Sequence, residues 1–173
     1  MRIPALLAVL LVAGCSQSTA APSPSPEGAV RLSGGGQFAT KGTAAVVYDS
    51  KLAPEGAQAS ATVESSPGRT VSSLVVEGLL AKRAYGAHLH VNPCGAKPDD
   101  AGAHFQHQAG HADAANEVWL DVKTDEAGMG RATATQAWGF PVGTVPGSIV
   151  IHAQPTKADG TAGPRVACVT LSR

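Results

Sequence analysis

The sequence is poor in charged residues, in aromatic side chains and in long apolar segments. Of its 173 residues, 15% are charged and 4% are aromatic, whereas glycine numbers 20 and proline 12. This composition argues against a long helical bundle or coiled coil and favours a turn-rich, all-β domain. Lysine and arginine together number 13, as do aspartate and glutamate. Because no basic excess exists to neutralise a phosphate backbone, we expect no nucleic-acid partner.

A short apolar run near the start has the pattern of an export signal. Residues 3–12 are apolar, and Val12-Ala13-Gly14-Cys15 follows. The run is too short to cross about 30 Å of hydrocarbon as a helix. Its end resembles a bacterial lipobox, which implies a signal peptide at residues 1–14 and lipid attachment at Cys15. We therefore expect the protein at the outer face of the cell membrane; an ordinary secreted protein with an incidental Cys15 is the alternative.

A polar segment rich in serine and proline follows the cysteine. Residues 15–36 contain little to bury and end in three glycines, so we predict a disordered, lipid-anchored linker. The remaining residues, 37–173, are enough for one independently folded domain.

Eight short segments of that domain have the character of β-strands. Several alternate apolar and polar residues, and glycine, proline, aspartate and asparagine separate them. They are residues 43–49, 59–65, 70–77, 84–91, 117–123, 129–135, 147–153 and 165–171. The pattern predicts an all-β fold, an eight-stranded antiparallel Greek-key barrel or sandwich. The irregular segment 92–116 is longer than a plain connection and indicates a functional or mobile loop.

Two cysteines remain once Cys15 is assigned to the anchor. Cys94 and Cys168 belong to an exported chain, whose compartment permits oxidation. We expect a disulfide between them, and two free or metal-binding thiols are the alternative.

All six histidines lie in the second half of the chain. His88 and His90 are two residues apart on a predicted strand, so both rings point to one face. His152 ends an apolar strand, where an unpaired polar ring is costly. Taken alone, His88 and His90 are also explained as a surface or hydrogen-bonded pair. His152 alone is also explained as a hydrogen-bonded residue at a strand end. With His104 they supply four imidazole nitrogens, a set that suits tetragonal Cu(II); zinc is the other candidate ion and cannot transfer electrons.

Four short motifs occur in order along the chain. They are Ala87–His90, Ala101–Phe105, Ile149–Ala153 and Gly160–Cys168. Together they resemble the copper/zinc superoxide dismutases, and the resemblance covers the domain at 37–173. It implies that family's eight-stranded Greek-key β-barrel with a long metal-binding loop, and the Cys94–Cys168 bridge. The copper ligands that it implies are His88, His90, His104 and His152.

The resemblance also implies an activity, the disproportionation of superoxide to dioxygen and hydrogen peroxide by a copper-dependent enzyme. Arg165 matches the family arginine that attracts and orients the anion. His104 matches the histidine that bridges copper and zinc and exchanges a proton. A non-catalytic copper-binding or storage lipoprotein is the alternative. Arg165 favours the enzyme, because a store for a cation gains nothing from a fixed positive charge.

The zinc pattern of the family is broken in this chain. Asn116 and Trp119 stand where the family has a zinc-binding histidine and aspartate. The sequence therefore resembles the copper-only branch, in which zinc is absent. A makeshift zinc site beside the copper is the alternative, with the ligands His107, His111 and Asp113.

Without zinc, the far nitrogen of His104 needs another orienting group, because metal-bound histidines usually hydrogen-bond through their second nitrogen. Glu117, next to the lost zinc-ligand position, is our candidate for this role. Asp121 is a weaker substitute, and a plain exposed glutamate at residue 117 is the alternative. The sequence predicts no particular oligomeric state.

Overall fold

The computed structural model describes residues 28–173. The predicted signal peptide at 1–14, the predicted lipidation site Cys15 and the first part of the predicted linker lie outside the described residues. Across the described range, none of the helical segments has the length and apolar character needed to cross a membrane.

Nine β-strands form two antiparallel sheets in residues 28–173. They are β1 (Val30–Gln37), β2 (Ala45–Val47), β3 (Gln58–Ser66), β4 (Arg69–Glu77), β5 (Ala84–His90), β6 (Val122–Lys123), β7 (Gly130–Gln136), β8 (Ser148–His152) and β9 (Arg165–Thr170). One sheet has the order β1-β3-β4-β7 and the other β2-β9-β8-β5-β6. The only helical element of this part of the chain is a 3-10 turn at Pro98–Ala101. The all-β prediction is confirmed, and the two sheets make the fold a sandwich.

The alternating pattern of β3 buries one face of that strand. Ala59, Ala61 and Val63 are buried in the space between the sheets, whereas the residues between them are exposed. The strands β5 and β8 are different, because almost every residue in them is buried. Leu89 and Ile151 enter the main core, while the opposite faces of their strands are covered by loops.

The predicted strand at 117–123 is shortened to β6, whose two residues pair with the start of β5. The residues before it run beside β5 through an isolated bridge between His88 and Trp119. They belong to a loop that connects β5 to β6, residues 91–121, which we call the long loop. A second isolated bridge joins His90 to His104 of this loop, so the long loop extends the sheet along the free edge of β5.

The disulfide between Cys94 and Cys168 is present, as predicted. Cys168 lies on β9 and faces a second, smaller apolar cluster together with Val150 of β8 and Val46 of β2. Cys94 and Ala101 complete this cluster from the long loop. The bridge and the cluster together hold the first part of the long loop against the sheet.

The domain begins earlier than the sequence suggests. The predicted linker extends through residue 36, but β1 starts at Val30 and pairs with β3 over its whole length. Gly34 is required for packing, because a Cβ atom at this position would lie 2.0 Å from the carbonyl oxygen of Thr170. A glycine-rich segment is typical of a flexible linker, whereas here the absence of a side chain on Gly34 allows β1 to lie close to β9.

We expect a chain that begins at Gln37 to be less stable than one that begins at Gly28. The shorter chain leaves the edge of β3 unpaired and removes Leu32, which is 2% exposed. Equilibrium urea unfolding of the two chains measures the difference. Leu32→Ala in the longer chain separates core packing from strand pairing, and we expect it alone to cost about 2–5 kcal/mol. Equal unfolding midpoints for the two chains would show that β1 contributes nothing.

Candidate metal centre

Four imidazole rings meet on the outer face of the second sheet. His88 and His90 share one face of β5 because they are two residues apart. The antiparallel bridge between His90 and His104 puts the His104 ring on that same face, and His152 joins them from the end of β8. One nitrogen of each ring lies within 4.8 Å of one nitrogen of every other ring. The structure thus brings together the four histidines that the sequence singled out.

Two of the rings are oriented by backbone carbonyls. His90 Nδ1 lies 3.0 Å from the carbonyl oxygen of Gly102, and His152 Nδ1 lies 3.0 Å from that of Gly163. A carbonyl oxygen can only accept a hydrogen bond, so both rings carry their proton on Nδ1. Their Nε2 atoms are therefore unprotonated and face each other across 3.4 Å.

His88 uses its two ring nitrogens in the opposite way. Its Nε2 lies 2.7 Å from the hydroxyl oxygen of Thr156. Its Nδ1 is buried and has no hydrogen-bond partner among residues 28–173. A buried nitrogen without a partner costs stability, and a metal ion would supply the missing partner. The four-nitrogen donor set and this orphaned atom both fit a bound copper ion.

Glu117 orients the fourth ring. Its Oε2 lies 2.8 Å from His104 Nδ1, and its side chain is 1% exposed. The side-chain amide of Gln106 and the indole N–H of Trp119 donate to the same carboxylate at 2.8 and 2.9 Å. Burial raises the pKa of Glu117, but the hydrogen bonds from these three side chains outweigh it, so that the pKa lies below its usual value. Glu117 is therefore a carboxylate that accepts from His104 Nδ1 and leaves Nε2 toward the cluster.

A β-bulge brings Arg165 to the same face. The register between β8 and β9 shifts after Ile151, so that His152 pairs with Arg165 and Val166 is left out of the pairing. Val166 packs in the main core beside Ala167. Bulges commonly re-aim a side chain in this way. Here the shift leaves Arg165 free to reach the long loop.

The Arg165 guanidinium is fixed by two carbonyls of the long loop. It donates to the carbonyl oxygens of Pro98 and Gly102, each at 2.6 Å. The Gly102 carbonyl is the one that also accepts from His90. One peptide group therefore links the cation to the cluster. Arg165, His104 and His152 line an open pocket of about 430 Å³.

The structure does not gather His107, His111 and Asp113 into a metal site. The His107 ring stacks on Trp138, with 4.8 Å between the ring centroids. The Asp113 carboxylate accepts hydrogen bonds from the backbone N–H groups that follow it in a turn, and His111 is exposed. Among residues 28–173, the four histidines are the one group of three or more side chains placed to hold a metal. The three side chains of the makeshift zinc site therefore do not converge on a common point in the described residues.

Sequence reasoning missed several partners of the rings. The sequence predicts no contact of Thr156, Gln106 or Trp119 with the rings, and Asp121, the weaker candidate partner of His104, bonds Thr156 instead. No motif marks these residues, because each reaches the site through the path of a loop. A polar residue shortly after His152 was the one available signal for Thr156.

Comparison with known proteins identifies a fold and no sequence family. No protein-family model matches the chain, and no curated protein sequence matches it. Its structure is similar to that of the Cu/Zn superoxide dismutase from Brucella abortus, with a TM-score of 0.53 and 17% sequence identity. The similarity covers 82% of this chain and 98% of that one. The two chains share a β-sandwich fold, as the sequence predicts.

We expect the metal-free protein to lose stability as the pH falls. Burial is the main cause that lowers the pKa of His88 and His90 to about 2 and that of His152 to about 4. In the unfolded chain these rings take up protons below about pH 6.5. The free energy of unfolding should therefore fall as the pH drops below 6.5, by about 1.4 kcal/mol per pH unit for each ring that stays neutral in the folded state.

Urea unfolding in the presence of a chelator, from about pH 7.5 to about pH 5, measures this dependence. His90→Gln keeps a polar side chain but removes one titrating ring, so its pH dependence should be shallower than that of the wild type. A wild-type stability that does not change over this range would contradict the prediction.

Proposed function

We propose that this protein is a copper-dependent superoxide dismutase that acts at the outer face of the cell membrane. The observation that carries the proposal is the convergence of four buried or half-buried imidazoles beside a fixed arginine. The shared sandwich fold supports it. The imidazoles would bind a redox-active metal, and the arginine would bind an anionic substrate.

His88, His90, His104 and His152 would hold the copper ion. Copper would supply one-electron chemistry, because it alternates between Cu(II) and Cu(I). The chain's own contribution is to keep one nitrogen of each ring free of protons, so that the site does not have to lose a proton before it binds the metal. We propose a site that works with copper alone, since the far nitrogen of His104 is bonded to Glu117 and is not free for a second metal.

Arg165 would bind and orient superoxide. Its guanidinium is charged at every physiological pH, and both carbonyl contacts limit its motion. A small anion in the open pocket would meet this charge beside His104 and His152. The short loop between β8 and β9, residues 153–164, carries only Lys157 and Asp159 as charged residues. Attraction of the substrate should therefore depend mainly on Arg165.

His104 would hold and deliver a proton at Nε2. It has the most exposed ring of the cluster, with 20% of its side chain accessible, so its proton can come from water. Glu117 would stabilise the ring when it carries both protons, because a carboxylate accepts from Nδ1–H and offsets the positive charge.

The proposed location depends on the N-terminal sequence. A signal peptide at 1–14 and a lipid on Cys15 would tether the domain to the membrane through a linker that ends before β1. Superoxide made outside the membrane would then meet the enzyme at its source.

We expect residues 28–173, oxidised at the disulfide and loaded with one equivalent of copper without zinc, to remove superoxide catalytically. Pulse radiolysis measures the decay directly. His152→Ala, which removes one ligand, should abolish catalysis. Arg165→Gln should lower the rate by about tenfold or more and reduce its dependence on salt, because the attracting charge is gone. Tight copper binding without catalysis in the wild type would favour the copper-storage alternative.

Glu117→Gln should weaken both copper binding and turnover. An amide presents its own N–H groups and cannot offset charge on His104, and loss of such a partner typically lowers metal affinity about 10- to 100-fold. Competition titration with a copper chelator measures the affinity. The matched control is Glu64→Gln, since Glu64 is an exposed glutamate on β3 that bonds Arg31. Unchanged affinity and turnover in Glu117→Gln would remove Glu117 from the mechanism.

A further inference from the structure

The short loop at residues 153–164 contributes one side chain to the cluster, Thr156. Its hydroxyl oxygen lies 2.7 Å from His88 Nε2 and also contacts Asp121 Oδ1 at hydrogen-bond distance. We propose that Thr156, held by Asp121, is a positioning residue that sets the tautomer and the ring orientation of His88, so that His88 Nδ1 is the atom offered to the metal. The part of this proposal that concerns copper rests on the proposed function.

His88, Thr156 and Asp121 form a series of two hydrogen bonds, and the direction of each follows from the acceptor at its end, Asp121. A carboxylate only accepts, so the Thr156 hydroxyl must donate its single proton to Asp121. Its oxygen can then interact with His88 Nε2 only as an acceptor, which requires the proton of the imidazole to be on Nε2. The neutral ring has one proton, so Nδ1 is left bare. This is the atom that is buried without a hydrogen-bond partner in residues 28–173.

The tautomer of His88 depends on two hydrogen bonds in series, whereas that of each other ring depends on a single acceptor. His90 and His152 are oriented by carbonyl oxygens, and His104 by a carboxylate. All three acceptors fix the tautomer by themselves, because none can donate. A threonine hydroxyl can donate or accept, so Thr156 specifies a tautomer only while Asp121 takes its proton.

The loop is held firmly where Thr156 meets β5. The N–H of Gly86 donates to the carbonyl of Gln154 at 2.7 Å, and the N–H of Thr156 donates to Asp121 Oδ2 at 2.8 Å. A Cβ atom on Gly86 would lie 2.6 Å from Ala162 Cβ and 2.9 Å from the Thr156 hydroxyl oxygen. The absence of a side chain at residue 86 is therefore what lets the loop approach the cluster. Asp121 thus bonds both the backbone and the side chain of Thr156.

The test compares three variants of residues 28–173. Thr156→Val keeps the shape of the side chain but removes the hydroxyl. Thr156→Ser keeps the hydroxyl and should restore wild-type behaviour. Thr161→Val is the control for loop integrity, because Thr161 is an exposed threonine of the same loop whose hydroxyl donates to Asp159 at 2.7 Å.

The first measurement needs no metal. Long-range proton–nitrogen NMR correlation of the metal-free protein, above the pKa of the rings, identifies which nitrogen of His88 carries the proton. We expect Nε2–H in the wild type, in Thr156→Ser and in Thr161→Val, and a mixture of tautomers in Thr156→Val. Nδ1–H in the wild type, or an unchanged tautomer in Thr156→Val, would overturn the proposal whether or not the protein is a dismutase.

The second measurement uses copper alone. We expect Thr156→Val to bind Cu(II) about 10- to 100-fold more weakly than the wild type and to change its electron paramagnetic resonance spectrum, while Thr156→Ser and Thr161→Val match the wild type. Equal losses in Thr156→Val and Thr161→Val would reduce Thr156 to a loop-packing residue and overturn the proposal. If the wild type does not bind copper through nitrogen ligands, the proposed function fails, and the metal-free measurement still decides the role of Thr156.

Asp121→Ala tests the same pair of hydrogen bonds by removing the acceptor of the Thr156 hydroxyl. It replaces Thr156→Val in the experiment if that variant does not fold. Without its acceptor, the Thr156 hydroxyl is free to donate to His88, so we again expect mixed tautomers of His88. A pure Nε2–H tautomer in Asp121→Ala would show that Asp121 does not control the hydroxyl, contrary to the proposal.

Discussion

Each of four neighbouring imidazoles must present a bare nitrogen to the others, and the surroundings of the cluster follow from that requirement. A neutral imidazole has one proton, so a bare nitrogen on one side of the ring requires an acceptor on the other side. The structure supplies a different acceptor to each ring: two carbonyl oxygens, a buried carboxylate and a threonine hydroxyl. Burial is the main cause that lowers the pKa values of His88, His90 and His152, so a positive charge on any of these three rings is costly.

The acceptors come from loops, so their positions depend on how the loops are held to the sheet. Gly102 lies in the first part of the long loop, where the Cys94–Cys168 disulfide and its small apolar cluster fasten the chain to β9. Gly163 and Thr156 lie in the short loop, which approaches β5 at Gly86. The rigid strands therefore position the rings, whereas the fastened loops determine which nitrogen of each ring is free.

Most of the sandwich could be predicted from the sequence, because its strands have recognisable local patterns. The strand at 58–66 alternates buried and exposed residues, and the strand at 148–152 is buried along its whole length. The first strand could not be predicted, since the glycines of β1 have no side chains to show a pattern, and the close approach of Gly34 to Thr170 of β9 is a contact between distant parts of the chain. The four histidines were found through strand spacing and family resemblance. Thr156 was not, because its meeting with His88 depends on the three-dimensional path of the loop, which no local pattern records.

Glu117 is a buried carboxylate whose ionised form matters for the orientation of the His104 ring. Burial of a side chain that is 1% exposed raises the pKa of Glu117, and a protonated Glu117 could no longer serve as a pure acceptor for His104. Hydrogen bonds from His104, Gln106 and Trp119 outweigh the effect of burial and hold the pKa below its usual value, because they stabilise the ionised form. Trp119 stands where the family resemblance expects a zinc-binding aspartate. At this position the indole N–H of Trp119 donates to Glu117, the carboxylate that orients His104.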